Sequence, residues 1–207
     1  MTRRRVVITG LGWVTSLGHS VDQVWSDLLA GRSGIHPIQR FDTTEYTSKI
    51  AGEISDWDGG KHLDAKSVRR LDRFTQFAMN SAIDAVDDSG LDFSREEPHR
   101  CGVLIGSGIG GIEEFEVGFE RLRSKGPGRV SPFMIPKLMI NAASGNVSIH
   151  YGIKGPNLAT VTACASAGHG MAEAVEVIAQ DKADVMITGG AEAAAGRLAV
   201  ACFMTMK

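Results

Sequence analysis

The chain has 207 residues, 43% of them apolar, with 22 basic against 24 acidic side chains. That length suits one large domain or two small ones with a sizeable core, and the near balance of charge gives no global case for nucleic acid or an anionic membrane as partner. No stretch reaches the roughly 18 apolar residues of a membrane span, and the basic start Met1-Thr2-Arg3-Arg4-Arg5 lacks a signal-peptide core, so a cytoplasmic protein is expected.

Along the chain, Arg5-Val6-Val7-Ile8-Thr9 reads as a buried strand, being short, β-branched and stopped by Gly10. Asp22 to Ala30 reads as a helix, with Ser20 or Asp22 as its cap and Gly31 as its stop. Residues 33–65 are loop and short strand. Ser67 to Asp88 reads as one long amphipathic helix whose stripe includes Leu71, Phe74, Phe77, Ala78, Ala82 and Val86, ended by Ser89-Gly90. A buried strand is expected at Gly102–Ile105, a helix from Ile112 to Lys125, a break at Gly126-Pro127-Gly128 and a helix from Ile140 to Tyr151. Leu158 to Thr162 reads as a strand, about Ala165 to Gln180 as a helix, and Val185–Thr188 as a strand closed by Gly189-Gly190. The apolar pattern from Leu198 to Met206 runs to Lys207 without a stop signal, as at an arbitrary end rather than a finished domain. Alternating strands and helices argue for an α/β fold with helices over a largely parallel sheet.

The segment Val161-Thr162-Ala163-Cys164-Ala165-Ser166-Ala167-Gly168-His169-Gly170 sets a cysteine between a strand-like run and a helix. At a helix start, N–H dipoles favour negative charge, so they would lower the thiol pKa and would receive an oxyanion formed beside the sulfur. The small residues around Cys164 leave room for a substrate. The alternative is a buried structural cysteine in an Ala-rich segment. Cys101, Cys164 and Cys202 form no CxxC pair, which argues against zinc or a dithiol centre, and free thiols fit a reducing compartment.

Gly106-Ser107-Gly108-Ile109-Gly110-Gly111 satisfies GxGxxG between a strand and a helix. A dinucleotide site also needs an acidic residue roughly 20 positions on, and Arg121 to Pro127 supplies a basic helix end instead. The histidines, His19, His36, His62, His99, His150 and His169, form no i,i+4 pair of the zinc-peptidase kind. His169 falls on the helix face turned from the sulfur and reads as packing or hydrogen bonding rather than as a base. Glu192 interrupts a small-residue stretch and reads either as an orienting group or as surface. Lys66, Arg69 and Arg70, and separately Lys125 and Arg129, are local basic clusters, either solvated charge or a docking patch for an acidic partner.

Several stretches taken together resemble one family. They are Arg3 to Gly12, Leu29 to Ile35, Gly106 to Gly111, Ser131-Pro132-Phe133-Met134-Ile135-Pro136, Gly155-Pro156-Asn157 with Thr162-Ala163-Cys164-Ala165-Ser166, and Ala183-Asp184-Val185-Met186 with Gly189-Gly190-Ala191-Glu192. In order and spacing they resemble the N-terminal half of an elongating β-ketoacyl-acyl carrier protein synthase, type II-like, of the thiolase-fold condensing enzymes. The resemblance implies a layered α-β-α domain over residues 1–207, one of two pseudo-duplicated halves, with a mostly parallel mixed sheet. It implies that Cys164 is the nucleophile, acylated from acyl carrier protein and condensed with malonyl-acyl carrier protein to a 3-oxoacyl product. By the same resemblance Ile109 gates the acyl pocket, and Gly108, Gly111, Phe133, Ala163 and Phe203 line it, Phe133 reaching across a dimer. Lys66, Arg69, Arg70, Arg129 and Lys207 would face the carrier protein, and the strand before Cys164 would pair across a homodimer. No metal or cofactor is implied.

The family's two catalytic histidines, its lysine and a second oxyanion donor belong to a C-terminal half that this chain does not contain, so the chain alone is expected to be inactive and to expose an apolar face. Gly196-Arg197 stands where the family usually has Thr-Pro. The rivals are a non-catalytic acyl- or carrier-binding or dimerisation module, a coenzyme A-dependent thiolase, and a thiol redox sensor.

Overall fold

Side-chain caps begin the first three helices in this computed structural model, which describes residues 4–206. Ser20 accepts the Gln23 N–H and starts α1 (Val21–Leu29), and Gly31, at φ +67°, turns the chain away from it. Two short strands, β1 (His36–Pro37) and β2 (Ile50–Ala51), pair antiparallel.

The single helix expected over residues 67–88 is two. Asp64 caps α2 (Ala65–Arg70), the chain extends through Leu71 and Asp72, and Asp72 caps α3 (Arg73–Ser89) by accepting the Phe74 N–H at 3.0 Å. A short carboxylate competes with the helical backbone for its own N–H groups, so an aspartate inside an apolar stripe restarts a helix as readily as it continues one. The other Asp72 oxygen accepts the Glu114 N–H at 3.3 Å, so one buried side chain serves the first turns of two helices.

The remaining elements are β3 (Cys101–Gly106), α4 (Ile112–Lys125), α5 (Met134–Leu138), α6 (Ala142–Tyr151), β4 (Asn157–Leu158), α7 (Ser166–Ala179), β5 (Val185–Gly190) and α8 (Arg197–Met206). The sheet runs β4-β3-β5, parallel throughout rather than mixed, with Cys101 opposite Val185 and Gly106 opposite Gly190. Every residue of β3 is buried. Its side chains alternate between faces. Cys101, Val103 and Ile105 join the cluster of Phe74, Phe77, Ala143 and Val147 from α3 and α6, while Leu104 points to Gly170 of α7. Helices therefore cover both faces, giving the expected layered α-β-α arrangement.

Two expected strands are corrected. Residues 5–9 form no strand, and Val7 and Ile8 are 60% and 84% exposed. The chain just beyond them follows α3 instead of the sheet: the Leu11 N–H bonds Asp88 Oδ2 at 2.9 Å, and Gly10 and Gly12 lie against backbone atoms of Ala85 and Ser81. The strand expected over 158–162 stops at Leu158, after which one bond, Ser107 N–H to the Thr160 carbonyl at 3.2 Å, keeps the segment beside β3. Met1, Thr2, Arg3 and Lys207 lie outside the described residues. Among the described residues no helix is long and apolar enough to cross a membrane.

Candidate active site

Four segments meet beyond the C-terminal ends of β3 and β5. They are Gly106–Ile109, the turn Ala163–Ala167, Gly190–Ala194 and Phe203 of α8, and they enclose a largely apolar cavity of about 490 Å³ onto which Cys164 opens. Glycine lets the layers meet here. A Cβ at Gly106 would stand 2.5 Å from the Ser166 carbonyl oxygen, and one at Gly190 would stand 2.5 Å from the Ala167 Cβ. The first turn of α7 can therefore rest directly on the strand ends.

The turn that carries Cys164 is held by its own polar groups. The Ala165 and Ser166 N–H groups donate to the Thr162 and Ala163 carbonyls, both at 3.1 Å. Buried Ser166 Oγ accepts the Thr162 N–H at 2.9 Å and donates to the Ala163 carbonyl at 2.7 Å. Ala163 is left at φ +53°, left-handed backbone that costs an alanine about 1–2 kcal/mol. The result lifts Cys164 out: it is exposed and borders the cavity. The expectation that first-turn N–H groups converge on the sulfur is thereby narrowed, because those of Ala165 and Ser166 are spent inside the turn. Cys101, by contrast, is buried in β3, and burial raises its thiol pKa.

His169 does not border the cavity. Its Nδ1 lies 2.7 Å from Thr162 Oγ1, the hydrogen-bonding role its position suggested. Among the described residues no histidine, lysine or arginine lines the cavity, and the one charged group there is Glu192. Glu192 is at the surface, the second of the two alternatives, yet its carboxylate is hydrogen-bonded to the glycine loop. Its Oε2 accepts the Gly108 N–H at 2.7 Å and the Ile109 N–H at 3.1 Å, and its Oε1 accepts Ser107 Oγ–H at 3.3 Å.

Of the other residues named from sequence, Gly108, Ile109, Ala163 and Phe203 border the cavity with Cys164, and Gly111 and Phe133 do not. Gly111 is the buried start of α4, its N–H on the Leu138 carbonyl at 3.2 Å. Phe133 begins α5 and is partly exposed, with the Arg70 guanidinium 5.4 Å above its ring. Lys66, Arg69 and Arg70 are exposed on α2, and Arg129 is exposed at the turn before α5. Sequence reasoning missed Ser107 and Ser166, the hydroxyls that organise the loop and the turn. A second cavity, about 620 Å³, adjoins the first and shares Glu192, Ala194 and Phe203 with it.

Among the described residues, His62, Asp84 and Asp87 come close enough together to suggest a cation. Asp84 Oδ1 is already met at 2.7 Å by both Lys61 Nζ and His62 Nε2.

The layered α-β-α domain with a parallel sheet, an accessible cysteine standing at one of its strand-to-helix turns, is of the thiolase-like fold class. The chain belongs to the β-ketoacyl synthase family, whose model "Beta-ketoacyl synthase, N-terminal domain" matches residues 3–207. It is 48% identical to a 3-oxoacyl-[acyl-carrier-protein] synthase 2 of Coxiella burnetii, across all of this chain and 50% of that protein, and 43% identical to that of Vibrio cholerae over the same shares. The chain thus spans about half the length of the curated relatives it matches. Among solved structures it is similar to a β-ketoacyl synthase from Burkholderia phymatum, with TM-score 0.84 and 30% identity over 100% of this chain and 50% of that one. It is also similar to the ishigamide ketosynthase/chain length factor, with TM-score 0.86 and 29% identity over 99% and 51%. A type II ketosynthase in complex with its acyl-carrier protein shares the fold, with TM-score 0.83 and 24% identity over 98% of this chain and 55% of that one.

Proposed function

We propose that this chain carries the acyl-accepting half of a condensing enzyme that elongates fatty acyl chains. The observation that supports this most directly is exposed Cys164 beside a cavity of about 490 Å³ walled by Ile109 and Phe203, in a chain matching the synthase family throughout. The Cys164 sulfur attacks the thioester carbonyl of an acyl-acyl carrier protein. The bond to the carrier's sulfur breaks, the carrier leaves as its thiol with the cysteine's proton, and the acyl group stays on Cys164. Covalent capture divides one hard carbon–carbon bond formation into two easier steps. Malonyl-acyl carrier protein then loses carbon dioxide, and the resulting carbanion attacks the Cys164 thioester. The product is a 3-oxoacyl-acyl carrier protein two carbons longer, and the sulfur is released. The Cys164 N–H is the oxyanion donor this half supplies.

Among the described residues the cavity is lined by no histidine or lysine that would drive decarboxylation, Glu192 being the one charged side chain there. The 207-residue chain is therefore expected to take acyl groups without condensing them. Lys66, Arg69, Arg70 and Arg129 are the exposed basic groups for the acidic carrier, Lys207 lying outside the described residues, and the exposed edge at β4 is the surface for a second copy of the protein. A cytoplasmic setting fits free Cys164 and Cys202.

The test is incubation with acyl-acyl carrier protein, followed by intact mass and peptide mapping. Acylation at Cys164, absent in Cys164→Ala, supports the reading. An unmodified Cys164 at saturating donor sinks it and leaves a binding or dimerisation module of the same fold. Turnover to 3-oxoacyl product at an ordinary enzymatic rate, roughly 1 per second or faster, refutes the expected inactivity of this chain alone.

A further inference from the structure

The loop Ser107–Gly110 presents successive backbone N–H groups to one point, as phosphate-binding nests do. Here that point is occupied from within. Glu192 Oε2 sits 2.7 Å from the Gly108 nitrogen and 3.1 Å from that of Ile109. Ser107 extends the contact: its Oγ–H donates to Glu192 Oε1 at 3.3 Å, and its Oγ accepts the Gly110 N–H at 3.0 Å. A Cβ on Gly108 would stand 3.0 Å from Glu192 Oε2 and 3.5 Å from the Ala163 Cα, so the loop is wedged between this carboxylate and the Cys164 turn. Glu192 is itself fixed by the sheet, two residues past β5, where the Ala191 N–H bonds the Gly106 carbonyl at 3.0 Å.

We propose that Glu192 is a positioning residue: its carboxylate fills the nest of the glycine loop and thereby sets where Ile109 stands relative to Cys164. An external anion such as pyrophosphate would have to displace Glu192 to enter this GxGxxG loop. The carboxylate borders the cavity onto which Cys164 opens, but its bonds run to Ser107, Gly108 and Ile109 rather than to the sulfur. It acts through the loop, and its effect falls on which acyl chains are admitted. That last consequence rests on Cys164 being the acyl acceptor; the clamp itself does not.

The experiment is amide hydrogen exchange on the isotope-labelled protein, comparing wild type with Glu192→Ala and Glu192→Gln. Removing a charged acceptor shared by two amides should speed exchange at Gly108 and Ile109 about tenfold or more in Glu192→Ala. Exchange at β3 should be unchanged. Glutamine keeps one oxygen for both amides, so Glu192→Gln should lie between the two. Added acetate should slow exchange at these amides in Glu192→Ala and leave wild type as it was. Unchanged exchange at Gly108 and Ile109 in Glu192→Ala overturns the proposal, as does an absence of acetate rescue. If Glu192→Ala unfolds, accelerating exchange everywhere, Glu192→Gln decides: local acceleration supports the clamp and none refutes it. In a second arm, Cys164 acylation by donors of increasing chain length should discriminate less in Glu192→Ala than in wild type, and equal discrimination counts against the role. Should wild type take no acyl group at all, the functional reading fails while the exchange arm still decides the clamp.

Discussion

β3 and the run Arg5–Thr9 are alike in sequence, each a few apolar residues closed by glycine, and they end in opposite places. β3 is buried at every residue, with parallel partners on both edges and helices on both faces. The earlier run has no strand partner among the described residues and exposes Val7 and Ile8. A hydrophobic run therefore states a need for cover, and the neighbours decide whether it becomes a strand.

The widest gap between the two regions should appear on truncation. Leu104→Ala, at a fully buried position against α7, should cost about 2–5 kcal/mol in denaturant unfolding. Ile8→Ala should cost less than about 0.5 kcal/mol. Similar losses at both positions would mean that the exposed run is packed in solution, and the contrast would fall.

Polar anchors come next. Burial, with the charges of Glu113 and Glu114 adding to it, pushes the Asp72 carboxyl up to about 6, against the two N–H groups it accepts. A raised carboxyl binds its proton more tightly in the folded chain. Stability should fall as pH rises from about 4 to 6, by an amount on the order of 3 kcal/mol, and stay level above that. Asp72→Asn should flatten that stretch of a stability-versus-pH curve, and an unaltered slope would assign it to other groups.

Ser166→Ala removes two bonds from the Cys164 turn and leaves the Thr162 N–H without its acceptor, a loss of about 1–3 kcal/mol. Thermal unfolding reads the loss, and Cys164 acylation should decline with it; full acylation at normal rate would show that the turn holds without its hydroxyl.

The smallest effect is expected at the surface. Arg4 joins the N-terminal run to Asp181 and Asp184 at 2.9 and 2.8 Å, beside Arg100. Arg100 and Arg4 hold the Asp184 carboxyl well below the usual carboxylate range, a contribution present at neutral pH and lost progressively as pH falls from the ordinary carboxylate value through the lowered one. These groups are solvated, so Arg4→Ala should shift the unfolding midpoint slightly, and added salt should erase the shift. A large, salt-insensitive loss would make the run an integral part of the sheet edge.

Much of the fold was legible because its signals were local. Gly111 and Gly126 bracket α4 at the expected bounds, Ser20 and Gly31 do the same for α1, and the β3 and β5 runs were continuous enough to read. The failures were of two kinds. At Leu71–Asp72 an apolar stripe hid a competing cap whose effect depends on bonds to its own backbone. Residues 5–9 were misplaced because pairing depends on strands far away in sequence. In the candidate site, Cys164 stood out by its turn, whereas the role of Glu192 required three groups 83 to 85 positions distant, and no local pattern announces that.

Gly106 and Gly190 face each other across the register of β3 and β5, and α7 lies over both. One methyl at either position would wedge the helix off its seat and tilt the sulfur with it. In a library of single substitutions scored for acyl uptake, these two codons should come back blank, although neither residue has a side chain with which to do chemistry.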